Sequence, residues 1–131
     1  MKLKFLTLSL IILCTGILND VTIQEDKTSI LCSGKWYISS MQSGEKTVEI
    51  PDDKRDNMWM NFFKDGKHEV MASGKIKKGS WKFSKNKDSL VFNTQSGEIK
   101  YMKLRGLNKK ELKLTFVDGG EKINISLDQN K

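Results

Sequence analysis

The feature that most constrains the fold of this chain is a succession of short alternating segments, separated by turn residues, from residue 33 onward. Within a segment, apolar residues recur at every second position, as Met58, Met60 and Phe62 do, which is typical of a strand with one buried face. The tetrapeptide Lys-Asp-Gly-Lys at 64–67 separates two such segments, and Asp-Gly between alternating runs is a strong hairpin signal. The pattern predicts eight or nine strands joined by tight turns.

The predicted strands are too closely spaced for a parallel sheet, because parallel neighbours need crossover segments of about a dozen residues. No stretch from residue 33 onward has a helical period that competes. The predicted strands lie within segments 34–41, 46–50, 58–62, 68–72, 81–83, 90–92, 98–104, 112–116 and 123–127. We therefore expect an all-β fold: a single antiparallel up-and-down meander, closed into a barrel because closure removes the two unpaired edges.

The two faces of the predicted strands differ in composition. In the first strand, Trp36, Ile38 and Ser40 are expected to share the inward face. The outward face is expected to carry Lys35, Lys64, Lys82, Lys100, Lys103 and Lys113. Eight-stranded barrels either fill their interior with side chains or hold one small ligand, and both alternatives stay open here. A cavity would be narrow, apolar and open at one end, and its expected ligand-binding residues are Ile38, Met58, Met60, Phe62, His68, Val70, Phe83, Phe92 and Phe116.

Residues 1–16 have the pattern of a signal peptide. Lys2 and Lys4 precede an almost unbroken apolar run at 5–13, which is shorter than the roughly 20 residues of a membrane span. Removal of this segment takes away two lysines and no acid, and lowers the formal charge from +7 to +5. We expect an extracytoplasmic protein, located in the periplasm or cell envelope or secreted, with no transmembrane span in the mature chain.

Cys14 suggests an alternative form of export. A cysteine directly after an apolar run is the position at which bacterial lipoproteins are cleaved and acylated. The residue before such a cysteine is normally small, whereas Leu13 stands here. Lipid anchoring at Cys14 is therefore the less favoured alternative.

Residues 17–32 mix polar and aliphatic side chains without a strong period. We expect them to form a tether or loosely docked arm ahead of a barrel domain at 33–131. Cys32 is interpreted as a small, half-buried hydrophobe rather than a nucleophile, because no orienting partner for a Cys–His pair with His68 is identifiable.

The composition argues against catalysis and against a metal site. One histidine and two cysteines are too few for a structural zinc site or haem ligation from this chain alone. Asp52, Asp53 and Asp56 lie in a loop beside Pro51, with the spacing of neither an EF-hand nor a pair of catalytic carboxylates. We expect no cofactor, no metal and no enzymatic activity.

One predicted hairpin carries the densest positive charge, formed by Lys75, Lys77, Lys78, Lys82, Lys85 and Lys87. A basic stripe of this kind suits anionic membranes, polysaccharides or nucleic acids. Nucleic-acid grooves, however, usually combine arginines with stacking aromatics, and this chain has only Arg55 and Arg105. We expect the lysines to protect a strand edge and keep the protein soluble, with no nucleic-acid partner.

The Gly34-Lys35-Trp36 tripeptide at the start of the first strand resembles the G-x-W signature of lipocalins. Segments 79–82 (Gly-Ser-Trp-Lys) and 60–66 resemble the short lipocalin-like domains of secreted bacterial proteins, and the resemblance extends over about 33–127. It implies a small hydrophobic ligand in the barrel, with Gly34 and Trp36 structural and Trp36 plugging the closed end. Lipocalins usually cover this Trp with an Arg from a late strand, for which Arg105 is the candidate, and place a helix after the barrel, for which no pattern exists here.

Two further residues have competing interpretations. Trp59 is out of phase with Met58 and Met60, and is either an exposed rim aromatic or covered by the arm before Cys32; we favour coverage. His68 is in the inward phase, where it either hydrogen-bonds a ligand carboxylate or is a satisfied structural residue.

The function predicted from the sequence is that of an exported, monomeric, lipocalin-like protein that binds a small hydrophobic ligand. The alternative is an envelope or secreted interaction module with a filled core, acting through its loops or through the basic hairpin at 75–87.

Overall fold

A computed structural model describes residues 27–130 and shows nine strands in one antiparallel sheet. The strands are β1 (Lys35–Ser43), β2 (Lys46–Glu49), β3 (Trp59–Phe62), β4 (Lys67–Ala72), β5 (Lys75–Phe83), β6 (Ser89–Thr94), β7 (Ile99–Leu107), β8 (Leu112–Asp118) and β9 (Glu121–Asp128). From β3 to β9 each strand pairs with the next, and β9 pairs with β1. This confirms the predicted all-β meander: eight strands form a closed barrel, and β2 is an extra strand.

Strand β1 pairs with three partners. Its first residues, Lys35–Tyr37, pair with β3, and its last residues, Ser40–Ser43, pair with β2. Its other edge pairs with β9 along most of its length. Because β2 occupies only the far half of β1, it lies beside the barrel wall and leaves the closed ring of eight strands intact.

Ser40 does not lie on the predicted inward face, because a β-bulge interrupts β1 between Ile38 and Ser40. An extra residue at a bulge shifts the alternation of side chains by one position. Beyond it, Met41 pairs with the buried Ile125, so Met41 continues the inward face that Trp36 and Ile38 begin. Ser40 is therefore out of that phase.

One end of the barrel is filled by large apolar side chains. Trp36 is fully buried there, and its Nε1 donates a hydrogen bond to the backbone oxygen of Leu31 at 2.9 Å. The fully buried side chains at this core are Trp36, Phe62, Leu31, Leu90, Leu112, Leu114 and Leu127.

The last part of the predicted arm belongs to this closed end. Residues 27–31 form a short helical segment, and Leu31 is 0% exposed within the barrel core. Cys32 is half-buried against the same core, and burial raises the pKa of its thiol although nearby Lys64 acts in the opposite direction. The structured unit thus begins before residue 33. The predicted signal peptide and Cys14 lie outside the described residues.

The acidic loop after β2 contains a 3-10 helix at Asp52–Asn57, which the sequence pattern did not predict. Its Arg55 forms a paired contact with the carboxylate of Asp128 at the end of β9, with N–O distances of 3.3 and 3.2 Å. Arg55 also donates to the backbone oxygen of Asn130 at 3.0 Å. This helix therefore connects the segment before β3 to the C-terminal end of the barrel.

Two residues discussed above lie on the outer side of the barrel. Arg105 is at a second bulge, in β7, and donates to the side-chain oxygen of Asn124 at 3.0 Å, so the predicted cover of Trp36 is not formed by this residue. Trp59 is only 4% exposed, and the Lys35 ammonium lies 4.3 Å from its ring centroid. Trp59 is thus buried, with Lys35 as a contact on its face, and its coverage by the arm before Cys32 stays a prediction.

Candidate functional site

The half of the barrel opposite the Trp36 core is hollow. A cavity of about 510 Å³ lies there, within the size range of sites for small molecules. All eight strands of the closed ring contribute to its wall, so the cavity is the barrel interior itself. The interior is therefore not filled along its whole length, which answers the question that the sequence left open.

Six of the nine predicted ligand-binding residues line this cavity: Ile38, Met60, His68, Val70, Phe92 and Phe116. They come from β1, β3, β4, β6 and β8, and each lies in the inward phase of its strand. Their shared position follows from the period-two pattern, but their role in binding stays a prediction.

Three of the predicted residues do not line the cavity. Phe62 and Phe83 both pack edge-on against Trp81, with ring centroids 5.5 and 5.3 Å apart, and so belong to the filled half. Met58 follows the 3-10 helix, where its backbone N–H donates to the Arg55 oxygen at 3.0 Å. The positions of Phe62 and Phe83 result from barrel depth, which alternation along a strand does not reveal, whereas Met58 precedes β3.

Eleven further residues that line the cavity were not predicted from the sequence. The additional apolar residues are Met41, Ala72, Met102 and Ile125, and the polar and charged ones are Lys77, Lys78, Thr94, Gln95, Ser96, Glu98 and Lys100. The sequence pattern does indicate an inward position for Met102 and Ile125, because both alternate in phase with neighbouring apolar residues. Met41 was obscured by the bulge in β1.

The predicted outward position of Lys100 is wrong. It is directly opposite Phe92 in the β6–β7 ladder, and Phe92 is 3% exposed. Residues directly opposite in an antiparallel pair share a face of the sheet. Lys100 therefore lies on the inward face and lines the cavity, while its side chain remains exposed at the open end.

The predicted basic hairpin does not form a single stripe. Lys77 pairs with the cavity-lining Val70 and thus lies on the inward face, whereas Lys82 pairs with Val91 on the outer face. Lys85 and Lys87 are in the turn that joins β5 to β6, at the filled end of the barrel. Because side chains alternate between the two faces of β5, and because the strand runs from the open to the filled end, these lysines lie on the inner face, the outer face and the turn.

His68 is the buried polar group of the cavity. It is 6% exposed, and its ring lies 4.8 Å from that of Phe92 between centroids. Burial lowers the pKa of His68 below its ordinary value of 6.5, and the backbone of Gly79 acts in the opposite direction. Among residues 27–130, Nδ1 of His68 has no hydrogen-bond partner. The cavity wall therefore contains one buried imidazole with a lowered pKa, and its Nδ1 lies on the Gly79 side of the ring.

Between residues 27 and 130, no three side chains of the His, Cys, Asp or Glu type are grouped as a metal site. Over the same residues, no helix has the length and apolar character needed to cross a membrane.

The structure is similar to the crystal structure of a DUF4847 family protein from Bacteroides vulgatus ATCC 8482, with a TM-score of 0.56 and 15% sequence identity. The similarity covers 79% of this chain and 96% of that chain. At this identity the comparison shows a shared barrel fold. The sequence matches no protein-family model and no curated protein.

Proposed function

We propose that this protein binds a small hydrophobic molecule in the barrel cavity, in the manner of a lipocalin. The observation that supports this proposal is the hollow half of the barrel, with a volume of about 510 Å³ and walls that include Met60, Phe92 and Phe116. Apolar pockets with a few polar groups are the usual form of small-molecule sites. His68, whose ring lines the cavity beside Gly79, supplies such a group.

Burial of apolar ligand surface would provide most of the binding free energy. At about 25 cal/mol per Å², roughly 200 Å² of buried ligand surface contributes about 5 kcal/mol, before the cost of immobilising the ligand. Met41, Met60 and Met102 suit an adaptable wall, because methionine side chains are flexible and polarisable. The proposal assigns the chain a binding role without catalysis, carried out as a monomer.

A neutral ligand tests this function. We expect 1-dodecanol to bind the full chain at one saturable site and to displace a neutral fluorescent dye from it. Val70→Trp should obstruct the cavity and abolish this displacement, because Val70 lines the wall. Val117→Trp is the matched control, since Val117 is 69% exposed. Absence of saturable binding to the wild type, or unchanged binding to Val70→Trp, would overturn the proposal.

We also propose that the protein is exported to an extracytoplasmic location by the signal-like segment at 1–16. Mass spectrometry of the N-terminus after expression in a bacterial host tests this. A chain cleaved after the apolar run supports export, and an acylated Cys14 would replace secretion by lipid anchoring. An intact N-terminus in the cytoplasmic fraction would contradict both.

A further inference from the structure

We propose that the natural ligand is an anionic amphiphile, bound with its apolar part inside the barrel and its charged head between Lys77 and Lys100 at the open end. This inference rests on the proposed function and names the chemical class of its ligand.

Lys77 is directed to the interior side of the sheet by its register. It lies directly opposite Val70, which in turn lies opposite Met60 in the next ladder. Both of these apolar residues line the cavity, and so does Lys77 itself. Since directly opposed residues share a face, Lys77 is the member of this cross-strand row that stands at the open end.

Lys100 reaches the same cavity from another part of the wall. Its row passes from the buried Trp81 through Phe92 to Lys100, across β5, β6 and β7. Because strands in a closed barrel are tilted, a row that begins in the filled half ends near the opening. Two lysines from strands β5 and β7, with β6 between them, thus lie above one apolar space.

Within the described part of the chain, neither of these two charges has an acidic partner within 4.0 Å. Among residues 27–130, the ion pairs within 4.0 Å involve Arg55, Lys67 and Lys113 as the basic members, and neither Lys77 nor Lys100. The charged residues that line the cavity are Lys77, Lys78, Glu98 and Lys100, so three positive charges face a single carboxylate. Lys75, opposite the cavity-lining Ala72, adds a further positive charge at this end.

The distribution of charge also determines the orientation of the ligand. The deep end of the cavity offers His68, which its burial keeps neutral, whereas the lysine side chains are exposed to water. An ionised head would lose its hydration in the deep end at high cost. At the opening it keeps water and gains two ammonium groups, and a cleft lined with one sign of charge attracts the opposite charge. The apolar part then occupies the space beside Phe92 and Phe116.

The test compares dodecanoate with 1-dodecanol on the full chain, both below their micellar concentrations. The measured quantity is the ratio of their Kd values in each variant, which removes the difference in their hydrophobicity. We expect Lys77→Gln/Lys100→Gln to shift this ratio against dodecanoate by about 3- to 10-fold, as two partly exposed ion pairs imply. The matched control is Lys82→Gln/Lys103→Gln, which removes the same charge from the outer face of the same two strands.

Further binding measurements identify the charge and the type of the head group. Glu98→Gln should tighten dodecanoate binding by about 2-fold, because it removes the single negative charge of the lining. Dodecyl phosphate in place of dodecanoate distinguishes a phosphate from a carboxylate head; tighter binding of either one than of dodecanol supports the inference. Preference for dodecyltrimethylammonium would overturn it.

The outcomes separate the two proposals. If dodecanol does not saturate the wild type, the proposed function fails, and the anionic inference fails with it. If both bind but the ratio is the same in the wild type, the cavity double variant and the outer control, the anionic inference fails and the binding function stands.

Discussion

Gly79 allows the sharpest test of how the barrel wall is packed. It lies in β5 opposite His68 on one side and Thr94 on the other. A Cβ at this position would lie 2.3 Å from the backbone oxygen of Asn93, and 3.0 Å from Cε1 of His68. The His68 ring can move, but the Asn93 oxygen is part of the paired strand. Gly79→Ala therefore forces β5 and β6 apart or twists the ladder between them.

The expected cost of Gly79→Ala is about 3 kcal/mol of the free energy of unfolding, at the upper end of overpacking in a core. For a domain of this size that corresponds to a fall in Tm of about 12 to 24 °C. Urea denaturation followed by far-UV circular dichroism measures the free energy, and a thermal scan measures the Tm.

Gly106→Ala is the matched control. Gly106 is also a strand glycine outside the left-handed region, but the nearest atoms to its added Cβ are in the Lys113 side chain, at 3.9 Å. We expect this variant to be neutral or stabilised by up to about 0.5–1 kcal/mol, because glycine in a strand loses more chain entropy than alanine. If Gly79→Ala is as stable as Gly106→Ala, the packing argument is refuted.

Three further predictions concern the closed end, the cavity and the 3-10 helix. Trp36→Phe should lower the free energy of unfolding by about 1–3 kcal/mol in urea denaturation, because the fully buried indole loses its bond to the Leu31 oxygen; an unchanged midpoint would contradict this. Because burial lowers the pKa of His68, the unfolded state binds a proton at this histidine at higher pH than the folded state does. The free energy of unfolding should therefore fall as the pH drops below about 6.5, and His68→Leu should remove that part of the pH dependence. Equal slopes of the free energy of unfolding against pH in both proteins would argue against this. Arg55→Met should lower the free energy of unfolding by about 1–3 kcal/mol in the same assay, because the paired contact with Asp128 is lost. Arg55→Lys should lose less, since it keeps the charge but not the paired geometry. If Arg55→Lys is as stable as the wild type, the paired geometry has no role.

The meander and six residues of the cavity wall were predictable from the sequence because both depend on a period of two. Turn residues between alternating segments predicted the strands, and the apolar phase placed residues such as Met60, Val70 and Phe92 on the interior face. Lys100 shows where residue type misled the prediction. It is in phase with Met102, but lysine suggests an outward position, and the open end of a barrel tolerates an inward charge that a closed core does not.

Other features could not be predicted because no local pattern encodes them. The bulge at Ile38–Ser40 depends on the pairing of β1 with β9 and changes the face of Met41. The depth of Phe62 and Phe83 depends on the tilt of the strands and on their contacts with Trp81. The burial of Leu31 depends on the hydrogen bond from Trp36, which brings residues 27–31 to the end of the barrel. Tertiary contacts determine all of these positions.

The junction between β1 and β9 has a consequence for how the chain reaches its native state. It joins Tyr37–Ser43 to Ile123–Asp128, two segments at opposite ends of the described chain, so a large loop must close before this ladder can form. Such non-local pairing raises the contact order above that of the sequential hairpins alone, which slows folding. During synthesis, β1 and β8 keep open edges until the last strand emerges, and incomplete chains expose them to aggregation. The ring of strands therefore closes only after translation has reached Asp128.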